Sequence, residues 1–322
     1  MTYPLDPEIA AAIPFLPNVD LAADIAGARA LTESLVAAVN AEIDTAGVRV
    51  RAVSVPGPPD SPDVPIRIYA PDTVNHPSLL FDVHGGAFIT GSLALDHVQN
   101  IELARDLGVV VVSVGYRLAP EAPFPAPIED CYAALTWVAK NAHELGVDPD
   151  RIVLHGASAG GGLCAALALL ARDRGGPAIA FQFLSVPELD DRLASPSMQM
   201  FTDTPNWNRP LVEISWDCYL GPGKRGSADV SPYAAPARAT DLTGLPPAYI
   251  SVMEFDPMRD EGIAYAQALL CAGVTVELHL FPGTFHGSAM VRHASISRRE
   301  DAERLTVLKR AVGGDDWYRD AP

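Results

Sequence analysis

The stretch His155-Gly156-Ala157-Ser158-Ala159-Gly160-Gly161-Gly162 constrains this chain more than any other. Ahead of it, Arg151-Ile152-Val153-Leu154 is a short apolar, β-branched run that reads as a buried strand. Behind it, Leu163 to Ala171 is rich in Leu and Ala and reads as a helix. Strand, glycine-framed serine and helix is the setting in which G-x-S-x-G becomes a nucleophile elbow, a turn so sharp that its residues must be almost without side chains. Gly156, Ala157, Ala159 and Gly160 meet that need. Such a turn lifts the Ser158 hydroxyl above the sheet, beside helix N-terminal N–H groups that favour an anion. Taken alone, the motif fits equally a glycine-rich loop that only packs a helix on a sheet. Gly160-x-Gly162-x-x-Ala165 also matches a variant of the dinucleotide fingerprint. There, however, the first glycine closes the strand, whereas Gly160 stands five residues beyond His155.

The rest of the chain supplies the context. Leu79–Val83, Val109–Val114, Ile179–Val186, Ala248–Met253 and Val274–Leu280 read as strands, most of them continuous apolar runs suited to a buried parallel sheet. Helices are expected over His97 to Leu107, Ala126 to Ala142, Asp260–Cys271 and Ile296 to Val312. The repeated β-α units predict an α/β fold, a mostly parallel central sheet with helices on both faces. Val48–Val55 and Val64–Tyr69, joined through Pro56-Gly57-Pro58-Pro59-Asp60, suit an antiparallel edge. Residues 1–45 read as helical pieces broken by Pro4, Pro7, Pro14 and Pro17. From Asp24 the apolar positions Ile25, Ala28, Leu31, Leu35 and Val39 keep helical spacing.

One stretch breaks the rhythm. From about residue 188 to 226 the next strand is postponed, and Asn208, Pro210 and Gly221 mark the cap, first turn and end of a helix. The organisation expected is therefore N-terminal cap helices in 1–45 and a core in 46–322, with a cap insertion at about 188–226. Met200, Phe201 and Trp207 in the insertion, with Phe88 in the core, are candidates to line an apolar pocket.

Composition excludes several classes. The formal net charge is -17, from 23 basic and 40 acidic residues, which argues against nucleic acid or an anionic membrane as partner. The apolar runs reach about ten residues, too few to span a bilayer. The N-terminus has no basic segment followed by an apolar one, so no signal peptide is evident. Cys131, Cys164, Cys218 and Cys271 are widely spaced, as in a reducing, cytoplasmic setting. The histidines lack ligand spacing such as H-E-x-x-H, so neither a metal nor a cofactor is expected.

A serine nucleophile needs a base, an orienting carboxylate and N–H donors for an oxyanion. The chain places candidates for each after a strand: His84-Gly85-Gly86-Ala87-Phe88, Asp256-Pro257-Met258-Arg259-Asp260-Glu261 and Phe285-His286-Gly287. Asp260 and Glu261 read as residues serving the N-terminal dipole of the helix that starts there.

These segments, together with Tyr116-Arg117-Leu118-Ala119-Pro120-Glu121 and the elbow, resemble the hormone-sensitive-lipase-like esterases, bacterial family IV, of the α/β-hydrolase fold. The resemblance covers about residues 80 to 290. It implies Ser158 as nucleophile, Asp256 as acid and His286 as base. It implies an oxyanion hole at Gly85, Gly86, Ala87 and Ala159, the donors being the amides of Gly86, Ala87 and Ala159. It also implies a cap built from the N-terminal helices and the insertion, and a possible homodimer through Val274–Leu280. Two departures stand out: Ala87 replaces the third glycine of H-G-G-G, and Ala157 replaces the aspartate of G-D-S-A-G. The first retains its N–H, and the added methyl narrows the site; the second removes a carboxylate beside the nucleophile. His84 is expected to hold the loop, His155 to pack beneath the elbow, and Arg117 and Glu121 to be buried partners.

The function implied is a serine carboxylesterase that hydrolyses short- to medium-chain esters of small molecules, with a rate that falls below about pH 6.5, where a free histidine protonates. A lactone or amide hydrolase with the same triad remains open. So does a binding protein, as in plant hormone receptors of this fold that have lost the catalytic histidine, which His286 opposes.

Overall fold

The computed structural model describes residues 3–16, 21 and 24–313. Pro17, with residues 1–2, 18–20, 22–23 and 314–322 of the two ranges named above, lies outside the described residues. The chain begins with α1 (Pro7–Ala12) and α2 (Ile25–Asn40), then β1 (Val48–Val55), β2 (Val64–Pro71) and β3 (Leu79–Val83). There follow α3 (His97–Leu107), β4 (Val110–Val114), α4 (Ala126–Lys140), α5 (Ala142–Leu145), β5 (Ile152–Ala157), α6 (Ala159–Asp173) and β6 (Phe181–Ser185). After β6 come α7 (Pro196–Met200) and α8 (Arg209–Leu220), then β7 (Ala248–Phe255), α9 (Arg259–Cys271), β8 (Val276–Phe285) and α10 (Ser295–Gly313).

Among the described residues the strands form one eight-stranded sheet in the order β1-β2-β4-β3-β5-β6-β7-β8. β1 and β2 pair antiparallel, and β2 is antiparallel to β4; from β4 to β8 all pairs are parallel. β3 and β4 are buried at every position and apolar apart from one buried polar residue each, Asp82 and Ser113. One face of the sheet carries the large core with α4, α6 and α9. The other buries Leu80, Val153, Phe181 and Tyr249 against α3 and α10. No helix among the described residues is long and apolar enough to cross a membrane.

Two segments stand outside the βα alternation, α1–α2 and the stretch between β6 and β7. Asp6 caps α1, and Asn208 caps α8 through the N–H of Leu211, with Gly221 at its end. The two segments meet: Ile9 of α1 packs with Phe201, Phe255 and Phe285.

α2 forms with its expected spacing, but its apolar stripe does not point into the core. Ala28 is buried, whereas Leu31, Leu35 and Val39 are 40%, 41% and 60% exposed. Polar bonds add to the packing of Ile25 and Ala28 in the core. Arg29 donates from Nε to the Ile89 carbonyl at 2.7 Å and from its terminal nitrogens to the Ala119 carbonyl and the Glu121 carboxylate at 2.8 Å. Arg117 and Glu121 are thus not partners of each other. Arg117 forks onto the buried Asp130, while exposed Glu121 pairs with Arg29. β8 runs past Leu280 to Phe285, so it ends directly at His286.

Candidate active site

β5 delivers Ser158 at the sharpest point of the chain. Ser158 takes φ +58° and ψ -123°, a conformation that residues with a side chain rarely adopt, before α6 begins at Ala159. The turn is possible because the helix packs against the sheet with no side chain between: a Cβ on Gly160 would run into the carbonyl of Val83. The Ser158 N–H donates to the Ser185 carbonyl at 2.9 Å and its carbonyl accepts from Gly162 and Glu188, so the strained residue is held on both sides.

The loop after β3 turns back toward the elbow. Gly86, Ala87 and Phe88 all take positive φ, +115°, +58° and +59°. Gly85 lies so near the elbow that a Cβ there would stand 2.9 Å from the Ala157 carbonyl. Among the described residues the N–H groups of Gly86, Ala87 and Ala159 meet no acceptor, which leaves them free for an incoming oxygen. His84 anchors the loop. It is buried, its Nδ1 bonds the Gly85 carbonyl at 2.7 Å, and its ring stacks on Tyr116, whose hydroxyl donates to the His84 carbonyl. Burial lowers the His84 pKa and keeps the ring neutral.

Asp256 leaves β7 just before Pro257. It is buried, and one carboxylate oxygen accepts from the Met258 N–H at 2.9 Å. The other lies 2.8 Å from Nδ1 of His286, whose Nε2 lies 3.0 Å from the Ser158 hydroxyl. With Nδ1–H given to the carboxylate, Nε2 is left as an acceptor for the serine proton.

A cavity of about 600 Å³ opens between the N-terminal helices and the insertion, lined among others by Ile13, Leu16, Leu35, Val36, Leu211 and Met290, with Asn206 and Asn208 as polar wall; Asn206, which bonds the His286 carbonyl, connects it to the triad. Among the described residues no cluster of three or more histidine, cysteine or acidic side chains is placed to hold a metal ion.

Known proteins resemble this chain in both sequence and shape. A family profile described as alpha/beta hydrolase fold matches residues 80–290. The chain belongs to the α/β-hydrolase family, in its hormone-sensitive-lipase-like branch. It is 42% identical over 261 residues to carboxylesterase NlhH of Mycobacterium tuberculosis, covering 78% of this chain and 79% of that one. It is 52% identical to the solved structure of a bacterial heroin esterase, with TM-score 0.93, covering 96% of this chain and 98% of that one. Esterase LipW from Mycobacterium marinum is 38% identical with TM-score 0.86, over 96% of each chain.

In this α/β-hydrolase the four expected pocket residues differ in their surroundings. Phe88 is buried and stacked on Tyr219 at 3.9 Å between centroids, and Phe201 belongs to the aromatic cluster with Tyr3 and Phe255. Met200 is 49% exposed at the end of α7. Trp207 packs on the imidazole of His286, centroids 5.8 Å apart. None of the four is among the residues lining the 600 Å³ cavity, whose wall includes α2 and the 3-10 turn at Ile13–Phe15, while Trp207 stands against the triad itself.

The hydrolase also uses residues that sequence reading passed over. Asn206, with φ +63°, donates from its side chain to the His286 carbonyl at 2.9 Å. Asp260 and Glu261 do more than face a helix dipole. Asp260 accepts from the Ser197 N–H and buried Glu261 from the Leu189 N–H, both at 2.7 Å, tying the insertion to α9. Asn206-Trp207 directly before an N-cap asparagine was the available signal, a polar turn with an aromatic inside a capped insertion. His155 is buried and bonds Asp82 at 2.9 Å, on the sheet face away from α6.

Proposed function

We propose that this carboxylic ester hydrolase works through an acyl-enzyme intermediate on Ser158. The observation that carries the reading is the continuous line from Asp256 through His286 to Ser158, at 2.8 Å and 3.0 Å. His286 takes the serine proton as Oγ attacks the ester carbonyl, and Asp256 fixes the tautomer and stabilises the imidazolium. The carbonyl oxygen becomes an oxyanion facing the amides of Gly86, Ala87 and Ala159. His286 then passes its proton to the departing alkoxide. Water, deprotonated by His286, attacks the acyl carbon, and Ser158 leaves with the proton restored.

The N-terminal segment 1–45 and the insertion at about 188–226 act as the cap, and the cavity between them takes the substrate. Its mixed polar and apolar wall and its volume of about 600 Å³ support short- to medium-chain esters with room for a bulky alcohol or acyl part. The names of relatives, an arylesterase of Saccharolobus solfataricus and the bacterial heroin esterase, agree with that class. The four free cysteines support a cytoplasmic setting. The unpaired edge β8, with Leu278 and Leu280 exposed, supports a homodimer, which sedimentation tests.

The test is hydrolysis of p-nitrophenyl esters from acetate to laurate by the wild type and Ser158→Ala. Turnover that favours short chains and vanishes in the variant supports the reading. Activity that survives in Ser158→Ala discards the nucleophile, and activity on lactones or amides with none on esters moves the same triad to those substrates.

A further inference from the structure

Glu188 is a buried acid that the mechanism above does not use. It follows β6, and its N–H donates to the Ser158 carbonyl at 3.1 Å, so its backbone is tied to the nucleophile. Its side chain is closed to solvent, and neither carboxyl oxygen meets a hydrogen-bond partner of ordinary geometry. Facing it are Ser215 and Tyr219 of α8, Asp256 after β7 and Glu261 on α9. None of these is a cation, and an ionised carboxylate in such surroundings is costly. Burial, with the nearby Asp256 charge, pushes Glu188 up to about 8 against the opposing pull of the adjacent Ser215 hydroxyl, and the neutral acid is favoured at pH 7.

Ser215 is the link to the reaction. It is fully buried, and its hydroxyl donates to the carbonyl of Ala87 at 3.1 Å. A hydroxyl has one proton to give. With that proton on Ala87, Ser215 can offer Glu188 only lone pairs, and a neutral carboxyl has an O–H to give them.

We propose that Glu188 is a positioning residue: as a neutral acid it donates to Ser215, keeps the Ser215 proton on the Ala87 carbonyl, and so holds the oxyanion loop from the cap side. This rests on the reading that the Gly86 and Ala87 amides receive the oxyanion. Ala87 sits at φ +58°, so the bond to its carbonyl fixes a residue that has no intrinsic preference for its conformation. Once Glu188 ionises, the carboxylate is the stronger acceptor, Ser215 turns its proton toward it, and Ala87 loses its donor. The rate then falls on the alkaline side.

The experiment measures kcat and KM for p-nitrophenyl butyrate from pH 6 to 9, with blank rates subtracted. It compares the wild type, Ser215→Ala, Glu188→Gln, Glu188→Ala and Ser158→Ala, each checked by circular dichroism. The wild type is expected to lose kcat above about pH 8. Ser215→Ala should lower kcat about tenfold with little change in KM, short of the ~10²–10³ that removal of an oxyanion donor costs, and without the alkaline limb. Glu188→Gln, whose amide always has a proton to donate, should be several-fold faster than Glu188→Ala, with a higher ratio of rates at pH 9 and pH 7 than the wild type. No alkaline limb in the wild type, a limb that persists in Glu188→Gln, or wild-type kcat in Ser215→Ala overturns the inference and leaves the triad standing. Activity in Ser158→Ala overturns the catalytic reading beneath it.

Discussion

The side-chain amide of Asn206 donates to the backbone carbonyl of His286 at 2.9 Å. The segment between β6 and β7 therefore has hold of the peptide that carries the base. The two residues fit so closely that a Cβ on Gly287 would stand 2.6 Å from the Asn206 amide nitrogen. Asn206 also occupies the left-handed region at φ +63°, which asparagine tolerates better than most residues.

Asn206→Ala should lower kcat about fivefold, the equivalent of one hydrogen bond of about 1 kcal/mol. Asn206→Asp keeps the turn but sets a carboxylate against a carbonyl, and its loss should be larger. Steady-state kinetics of both variants on one ester check this. Equal kcat in the wild type and Asn206→Asp would remove Asn206 from the positioning of His286.

Asp256 accepts from His286 Nδ1 at 2.8 Å and from the Met258 N–H at 2.9 Å. Asp256→Asn retains the shape but presents an amide donor that favours the wrong imidazole tautomer. The expected fall in kcat is roughly 10⁴-fold, with thermal stability close to that of the wild type. A loss of only a few-fold, read from single-turnover rates, would place the orienting carboxylate elsewhere.

Arg29 fastens α2 to the Ile89 and Ala119 carbonyls as well as to Glu121. Arg29→Ala leaves both carbonyls without their donor. Stability should fall by about 1–3 kcal/mol, seen in urea unfolding. KM should rise more than kcat falls, because Leu35 and Val36 of the same helix line the cavity. Limited proteolysis after α2, faster in the variant, is the direct check.

The Glu188 carboxyl, raised from 4.5 to about 8 in the folded chain, makes stability depend on pH. A group whose folded pKa lies above its unfolded value contributes stability that is complete below the unfolded value and is lost as pH rises through the folded one. The difference in melting temperature between Glu188→Gln and the wild type should therefore shift in favour of Glu188→Gln between pH 4.5 and about 8. Calorimetry at the two ends measures it. A difference that does not change with pH would mean that Glu188 titrates normally.

The parts of the site fixed by backbone demands were legible in the sequence. The elbow leaves room only for Gly160 under Val83, and Asp256 follows a strand whose apolar run is visible, whereas the strand before His286 reads only to Leu280 and in fact continues to Phe285. The cavity wall was not legible. Its residues come from α2, whose stripe of Leu31, Leu35 and Val39 reads like any core-facing helix, and nothing local shows that Arg29 would hold the helix by main-chain carbonyls far away in sequence. Phe201 and Phe88 are a different case. Large rings look suited to a pocket, yet each satisfies itself against another ring. Glu188 and Ser215 are single polar residues whose meaning lies in contacts with the elbow and with Ala87.

A wall fastened by a few directional bonds and only two inward side chains leaves most of its helix unburdened. The outward side chains Leu31, Leu35 and Val39 bear little of the weight of folding, so substitutions there cost little stability. Ser158, His286 and the loop at Gly86–Ala87 rest on the sheet and need not move with them. The shape of the cavity can thus be altered along one helix, while the proposed chemistry beneath stays as it was.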